Sequence, residues 1–305
     1  MTPNSGPMSV GIFTAMTDEH VPPARLARAV EERGFESLFV PEHSHIPATR
    51  QTPTPDGGEL PRDYYRHLDP VVTLSTASAV TTTLRLGTAV TLLVQRDPIH
   101  LAKEFASLDL VSGGRIELGI GAGWLREEML NHNTDPRTRT ALMTERLAAI
   151  RAIWADSPAD YHGTFVDFAP LYSWPKPVQV PHPPVWLGGW GPTTLQRVVD
   201  LGVGWIAPPG IPAERLGAGM DELRTLAEKH DLPAPPVMAT VFDPTAGLLD
   251  DLADRGVSRT LVGLPVASEE ESLHVLNHLA TIAGDHLATI AGDDRPTAGD
   301  DRTAA

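Results

Sequence analysis

The residues with the widest chemical range in this sequence are grouped. The stretch VPEHSHIP at 40–47 sets Glu42 beside His43 and places His45 two residues further on. A histidine titrates near neutrality and an adjacent carboxylate raises its proton affinity, so Glu42 and His43 can act as an acid–base pair. Alone, a histidine at a strand end is more often a structural hydrogen-bonder, and that reading stands beside the chemical one. The His43-Ser44-His45 spacing also admits a divalent ion held as in a barrel metallohydrolase. Such a centre needs further His, Asp or Lys at later strand ends, where this chain has Gly, Trp and Pro, so no metal site is expected. There are no cysteines, which excludes thiolate nucleophiles, disulfides and thiolate metal sites together.

A second group is Gly188-Gly189-Trp190-Gly191-Pro192, which runs from a predicted strand straight into a predicted helix. Glycines let the backbone approach an oxyanion, and a helix N-terminus supplies free N–H groups and partial positive charge, so this turn suits a phosphate. A ligand-free tight turn explains the glycines equally well. Gly123 and Trp124 follow another predicted strand, and Trp124 and Trp190 are placed to stack on a flat heterocycle or, more simply, to plug the space with apolar rings. Glu127 and Glu128 open a predicted helical turn, where carboxylates favour the positive end of the dipole. His100, His132 and His230 fall on predicted helices or loops and are assigned to the surface.

The elements that must position these groups alternate. Apolar strand-like runs at 9–16, 37–40, 85–93, 115–121, 185–189, 205–208, 237–242 and 259–264 are separated and followed by helical runs at 24–33, 69–80, 98–110, 139–154, 193–200, 213–230, 246–255 and 269–282. Strict alternation implies a parallel sheet, open or closed. Eight repeats in 305 residues favour closure, and residues 14–20 lack the glycine fingerprint that an open dinucleotide-binding sheet carries after its first strand. The expected fold is therefore an α/β (β/α)8 barrel, one catalytic domain over 1–291. Two irregular stretches, 44–67 and 156–184, are assigned to the C-terminal mouth, where such loops form lids and walls.

Residues 292–305 are rich in Asp, Thr, Ala and Gly and are expected to form a disordered tail. Just before them HLATIAGD occurs twice in succession, read as a tandem duplication extending the last helix. The net charge of −15 opposes binding to nucleic acid, and the absence of a basic-then-apolar N-terminal leader or a long apolar run leads to the expectation of a soluble cytoplasmic protein without a membrane partner.

The order of these motifs resembles the luciferase-like monooxygenase superfamily, and more closely its actinobacterial F420-dependent oxidoreductase branch. The resemblance is carried by VPEHSHIP at 40–47, LRLGTAVTLLVQRDPIHLAKEFASLDLVSGGRIELGIGAGW at 84–124, YHGTFVDF at 161–168, WPKPVQVPHPP at 174–184 and LGGWGP at 187–192, and it spans 9–282. It implies a TIM barrel, often a homodimer, with a flavin or deazaflavin ring at the C-terminal mouth. It further implies that Glu42 and His43 face the ring and that a bulge at Ala89-Val90, frequently a non-proline cis peptide, supports it from behind. Gly188, Gly189 and Gly191 would take the phosphate side of the cofactor, and Arg139 matches an arginine that opens the helix after the fourth strand.

Three departures from the pattern stand out: Val94 where a proline is usual, a polar run at 131–136 in place of an apolar one, and Trp124 where F420-using relatives often carry an acid. The implied activity is hydride transfer between F420 and a small organic substrate, with His43 managing the accompanying proton. An FMN-dependent monooxygenase is the alternative, and a flavin-binding barrel without turnover the next.

Overall fold

The computed structural model describes residues 7–55, 57–284 and 286–287. The chain runs β1 (Ser9–Phe13), α1 (Pro23–Glu32), β2 (Ser37–Val40), α2 (Pro70–Ser78), β3 (Arg85–Thr88), β4 (Thr91–Leu92), α3 (Pro98–Ser112), β5 (Ile116–Gly121), α4 (Arg126–Asn131) and α5 (Arg139–Ala155). It continues through β6 (Ala159–His162), β7 (Asp167–Leu171), β8 (Val185–Gly188), α6 (Thr194–Leu201), β9 (Gly204–Ile206), α7 (Ala213–Glu228), β10 (Val237–Val241), α8 (Ala246–Asp254), β11 (Arg259–Gly263) and α9 (Glu269–Ile282). Strands pair in the order β3-β2-β1-β11-β10-β9-β8-β5, and β5 pairs back onto β3, closing a parallel eight-stranded barrel. All strand C-termini therefore open at one mouth.

Local chemistry fixes the element ends. Asp69 and Asp97 cap α2 and α3, accepting from the amides of Val71 and His100 among others, and each precedes a proline at the first helical position. Ser268 caps α9 through the amide of Glu271, three residues on, the spacing of a capping box. Gly113 ends α3 at φ 71°, a left-handed conformation that a side chain would strain.

The barrel interior is filled by Phe39, Trp186, Ile206, Met238 and Leu261, with Phe13, Ala89 and Val90 packed against them, while a larger apolar layer lies between strands and helices. Strand glycines admit the large rings: a Cβ at Gly87 would lie 2.4 Å from the Phe39 ring. The end opposite the mouth is closed by charge. Glu117, 1% exposed, accepts from Arg85, from Arg259 Nη1 at 2.8 Å and from the Trp186 indole at 2.6 Å, and Arg259 also reaches Glu36 at 2.6 Å. Such a cluster is costly to break because removing one partner strands a buried charge, about 3–5 kcal/mol.

Three sequence expectations change here. The strand expected over 85–93 is interrupted: β3 stops at Thr88, β4 covers two residues and Leu93–Gln95 turns as a 3-10 helix, while the Ala89-Val90 peptide between the strands is cis, as the resemblance implied. Within 156–184, β6 and β7 form an antiparallel hairpin that the proline count hid. That segment also lies elsewhere than expected. It follows the C-terminus of α5 and precedes β8, so both its ends root at the closed end of the barrel, and the hairpin tip climbs α5 to meet Glu145 through the amides of Thr164, Phe165 and Val166. The 44–67 stretch, which leaves β2, is the insertion at the mouth. The tail at 292–305 and most of the second HLATIAGD copy lie outside the described residues, among which no helix is long and apolar enough to cross a membrane.

Candidate active site

Leaving β2, the chain delivers Glu42 and His43 in succession, 6% and 9% exposed, and the structure gives them different partners. Glu42 is fully engaged: one oxygen accepts from the Leu92 amide at 2.7 Å and the other from Arg96 Nε at 2.6 Å. Burial pushes this carboxyl up against the opposing pull of Arg96, and the balance leaves it above the usual carboxylate range. Arg96 in turn reaches Asp69, the cap of α2. Glu42 thus ties the backbone just beyond Ala89-Val90 to the exit of β2, a positioning task.

His43 is held by Glu128 instead. Its Nδ1 lies 2.8 Å from Glu128 Oε2, and Glu128, wholly buried, also accepts from the Ser44 amide at 2.9 Å and the Ser44 hydroxyl at 3.2 Å. Burial would raise the Glu128 carboxyl, but the hydrogen bonds from His43 and Ser44 and the charge on His43 outweigh it, so it sits below its ordinary value and is ionised. An ionised carboxylate only accepts, which assigns the Nδ1 proton to His43; in the neutral ring Nε2 is then the acceptor, and it has no protein hydrogen bond among the described residues. Around the imidazole stand Tyr64 at 5.3 Å, Trp124 at 5.7 Å and His67 at 5.9 Å between ring centroids. Both nitrogens of His67 are buried without a partner, and burial reinforced by the charge of His43 pushes it down to about 4, so it is neutral at physiological pH.

The opposite wall is built from β5, β8 and the Ala89-Val90 turn. A Cβ added at Gly121 would fall 2.5 Å from one Val90 methyl and one at Gly188 2.8 Å from the other, so Val90 is seated between these two bare backbone positions. Gly189 has φ 128°, a conformation that strains any side chain; its amide donates to the Ile206 carbonyl at 3.4 Å, and a Cβ placed there would meet nothing nearer than Thr194 Oγ1 at 3.9 Å. The Gly191 amide donates to Thr194 Oγ1 at 2.7 Å, and α6 begins without a side-chain cap, leaving first-turn amides for a ligand or water. Gly123 takes φ 71° against Met129 and Leu92. Arg139 opens α5 half-buried, and no ion pair engages its guanidinium among the described residues.

The two tryptophans do not act together. Trp124 leans edge-on against His43, whereas Trp190 turns away to pack on Trp205 at 5.4 Å, under Arg215 at 4.8 Å. The Glu127-Glu128 pair does more than sit favourably on a helix dipole. Glu127 grips the 44–67 stretch through the amides of Gln51 and Thr52 at 3.0 Å, and Glu128 holds His43. His132 is not a bare surface residue either, since its Nε2 lies 2.7 Å from the Ser44 hydroxyl. Glu128 and Met129 are the buried residues of α4, and this four-residue step from Trp124 was the available signal for Glu128. For His67, far from any motif, there was none. Among the described residues no cluster of His, Asp and Glu is arranged to hold a metal.

A family model described as luciferase-like monooxygenase matches residues 15–302. An uncharacterized protein of Mycobacterium tuberculosis is 38% identical over 278 residues, covering 90% of this chain and 98% of that one. Among solved structures, the monooxygenase RslO1 from Streptomyces bottropensis superposes with TM-score 0.76 at 20% identity, covering 92% of this chain and 99% of its own. An F420-dependent secondary alcohol dehydrogenase in complex with an F420-acetone adduct does so with TM-score 0.72 at 15% identity, covering 93% and 99%. At these identities the two structures establish the shared barrel.

Proposed function

Since the chain belongs to the luciferase-like monooxygenase family, we propose that it is an oxidoreductase that moves hydride between the deazaflavin F420 and a small organic substrate, with His43 exchanging the proton. The observation that carries this reading is the state of His43: its Nδ1 is fixed by an ionised, buried Glu128 and its Nε2 is left free at the barrel mouth. A barrel with only a binding task has no use for an imidazole oriented in this way.

The residues present fit a flavin-type group. Val90 between Gly121 and Gly188 gives an apolar back wall, the bare Cα of Gly189 leaves room and the uncapped first turn of α6 gives amides for a phosphate, and Arg139 adds an unpaired cation. When bound, the deazaflavin supplies a ring carbon that accepts or donates hydride. Everything else belongs to the chain. Glu42 and Arg96 fix the backbone behind Val90, and Tyr64, Trp124 and His67 exclude water around His43. His43 takes the proton from a substrate hydroxyl at Nε2, or returns one, within a site whose geometry is set before substrate arrives. F420 is supported by a structural neighbour that uses it for alcohols, and the alternative FMN-dependent monooxygenase by a neighbour named as a monooxygenase.

The test is titration of purified protein with F420 and, separately, with FMN, following ring fluorescence in wild type and Gly189→Trp. Tight F420 binding that the variant loses while it still unfolds cooperatively, at a melting temperature lowered by the strain of a side chain at φ 128°, supports the reading. FMN binding alone converts it to the monooxygenase, and binding of neither removes it.

A further inference from the structure

The Ser44 hydroxyl stands at a junction that holding Glu128 in place does not require. Besides Glu128 Oε1 at 3.2 Å, it lies 2.9 Å from His45 Nδ1 and 2.7 Å from His132 Nε2. His45 Nε2 is 2.8 Å from Asn131 Nδ2, a donor, so His45 carries its proton on Nδ1 and donates it to Ser44 Oγ. The hydroxyl therefore has one proton and two places to send it, the buried carboxylate on one side and the His132 imidazole on the other. Ser44 is exposed while Glu128 is wholly buried, so the junction spans the boundary between the site and solvent. Asn131 and His132 come from the polar run at 131–136, one of the places where this sequence departs from the pattern it otherwise resembles.

We propose that Glu128, Ser44 and His132 form a proton relay connecting His43 with solvent, with His45 and Asn131 orienting the serine; this rests on His43 being the group that exchanges a proton with substrate. In the outward direction, the imidazolium formed when His43 Nε2 accepts a proton gives its Nδ1 proton to Glu128 Oε2. The carboxyl turns about its Cγ–Cδ bond and passes that proton to Ser44 Oγ as the hydroxyl's own proton moves to His132 Nε2. His132 then releases a proton from Nδ1 to water. One proton enters and one leaves, which restores the carboxylate and hydroxyl and leaves both imidazoles neutral with their protons on Nε2; the return passage, which delivers a proton from His43 Nε2, restores the Nδ1 protons. The inward direction is the reverse.

The charged and titratable groups facing the relay are Tyr64 and His67 beside His43, His45 beside His132, and Arg96 and Arg146, which act on His132 from a distance. Burial and the neighbouring His45 lower the proton affinity of His132, which suits a group that must release as readily as it binds.

The experiment needs no substrate. Exchange of the His43 Nδ1 proton with water is measured by NMR on histidine-labelled whole protein, in wild type, Ser44→Ala, Ser44→Thr and His132→Gln. Ser44→Ala is expected to slow exchange by about tenfold or more, His132→Gln to slow it less, Ser44→Thr to retain the wild-type rate, and added imidazole to restore part of the loss. Unchanged or faster exchange in Ser44→Ala overturns the relay, because loss of a merely structural contact opens the site to water. F420 and FMN titrations on the same samples separate the two proposals: a wild type that binds neither cofactor sinks the proposed function and leaves the exchange result standing.

Discussion

Replacing Glu128 by glutamine is the most informative single change, because it alters charge and hydrogen-bonding polarity at nearly constant shape. In the native protein the carboxylate accepts from His43 Nδ1 at 2.8 Å and from the Ser44 amide at 2.9 Å. A glutamine has one accepting end. Turning the amide nitrogen toward Ser44 would set two N–H groups against each other, so the oxygen must face Ser44 and the NH2 must face His43. His43 is then forced to present a lone pair at Nδ1 and to carry its proton on Nε2, which no longer accepts from a substrate hydroxyl. Loss of a positioned base costs about 10²–10⁴ in rate, equivalent to roughly 3–5 kcal/mol of barrier. Folding stability suffers less, about 1–2 kcal/mol, since charge-assisted hydrogen bonds weaken to neutral ones while the cost of burying a charge disappears. The 15N shifts of the His43 ring report the tautomer directly, and F420-linked turnover on a panel of alcohols reports the rate. A variant in which Nδ1 keeps its proton, or one that inverts the tautomer at undiminished rate, refutes the assignment of His43.

Four further outcomes are expected. Gly188→Ala places a methyl 2.8 Å from Val90 Cγ1, so it should displace Val90 and weaken cofactor binding more than tenfold by fluorescence titration, with a far smaller change in melting temperature. Glu117→Gln leaves Arg85 and Arg259 short of a counter-charge and should lower stability by about 3–5 kcal/mol in urea unfolding. Burial raises the Glu117 carboxyl but the two arginines outweigh it and hold it below its ordinary value of 4.5, so its contribution is complete above that pH and fades as pH falls beneath it. His67 works in the other direction. Its folded proton affinity is depressed from 6.5 to about 4, the unfolded chain binds the proton first, and stability should fall as pH drops through that window, by at most about 3 kcal/mol, with a shallower slope in His67→Gln. Finally, dialysis against a chelator should leave cofactor affinity unchanged, and a drop would revive the metal reading of His43 and His45.

The barrel was legible because its signals are local: each strand is an apolar run, and α2 and α3 announce their starts with Asp69-Pro70 and Asp97-Pro98. The hairpin of β6 and β7 was not, since its pairing of Tyr161 with Phe168 crosses a turn inside a proline-rich stretch where periodicity is weak. The site was half legible. His43 and the Gly188–Gly191 turn advertise themselves by type, whereas Glu128 comes from 85 residues away and His67 from the irregular insertion, so only the closed fold brings them together. Two departures noted separately in the sequence, Val94 and the polar run at 131–136, meet in space: Thr134 donates to the Val94 carbonyl at 2.7 Å. A sequence read in order cannot show that one compensates the other.

Three buried glutamates line this barrel, and their counter-charges divide their roles. Glu117 is bound by Arg85 and Arg259 and Glu42 by Arg96, guanidinium groups that never lose their proton at any pH the fold survives. Those two carboxylates are thus held by partners of constant charge and serve as struts, one closing the base of the barrel and one bracing the Ala89-Val90 turn. Glu128 has no arginine or lysine partner among the described residues; its hydrogen bonds come from the His43 imidazole and from the hydroxyl and amide of Ser44. Its charge is balanced only when His43 or His132 holds a second proton, so the electrostatics of the mouth change each time a proton arrives or leaves. A site built only to bind would gain stability from an arginine at that position. The titratable partners there in its place fit a site through which protons pass.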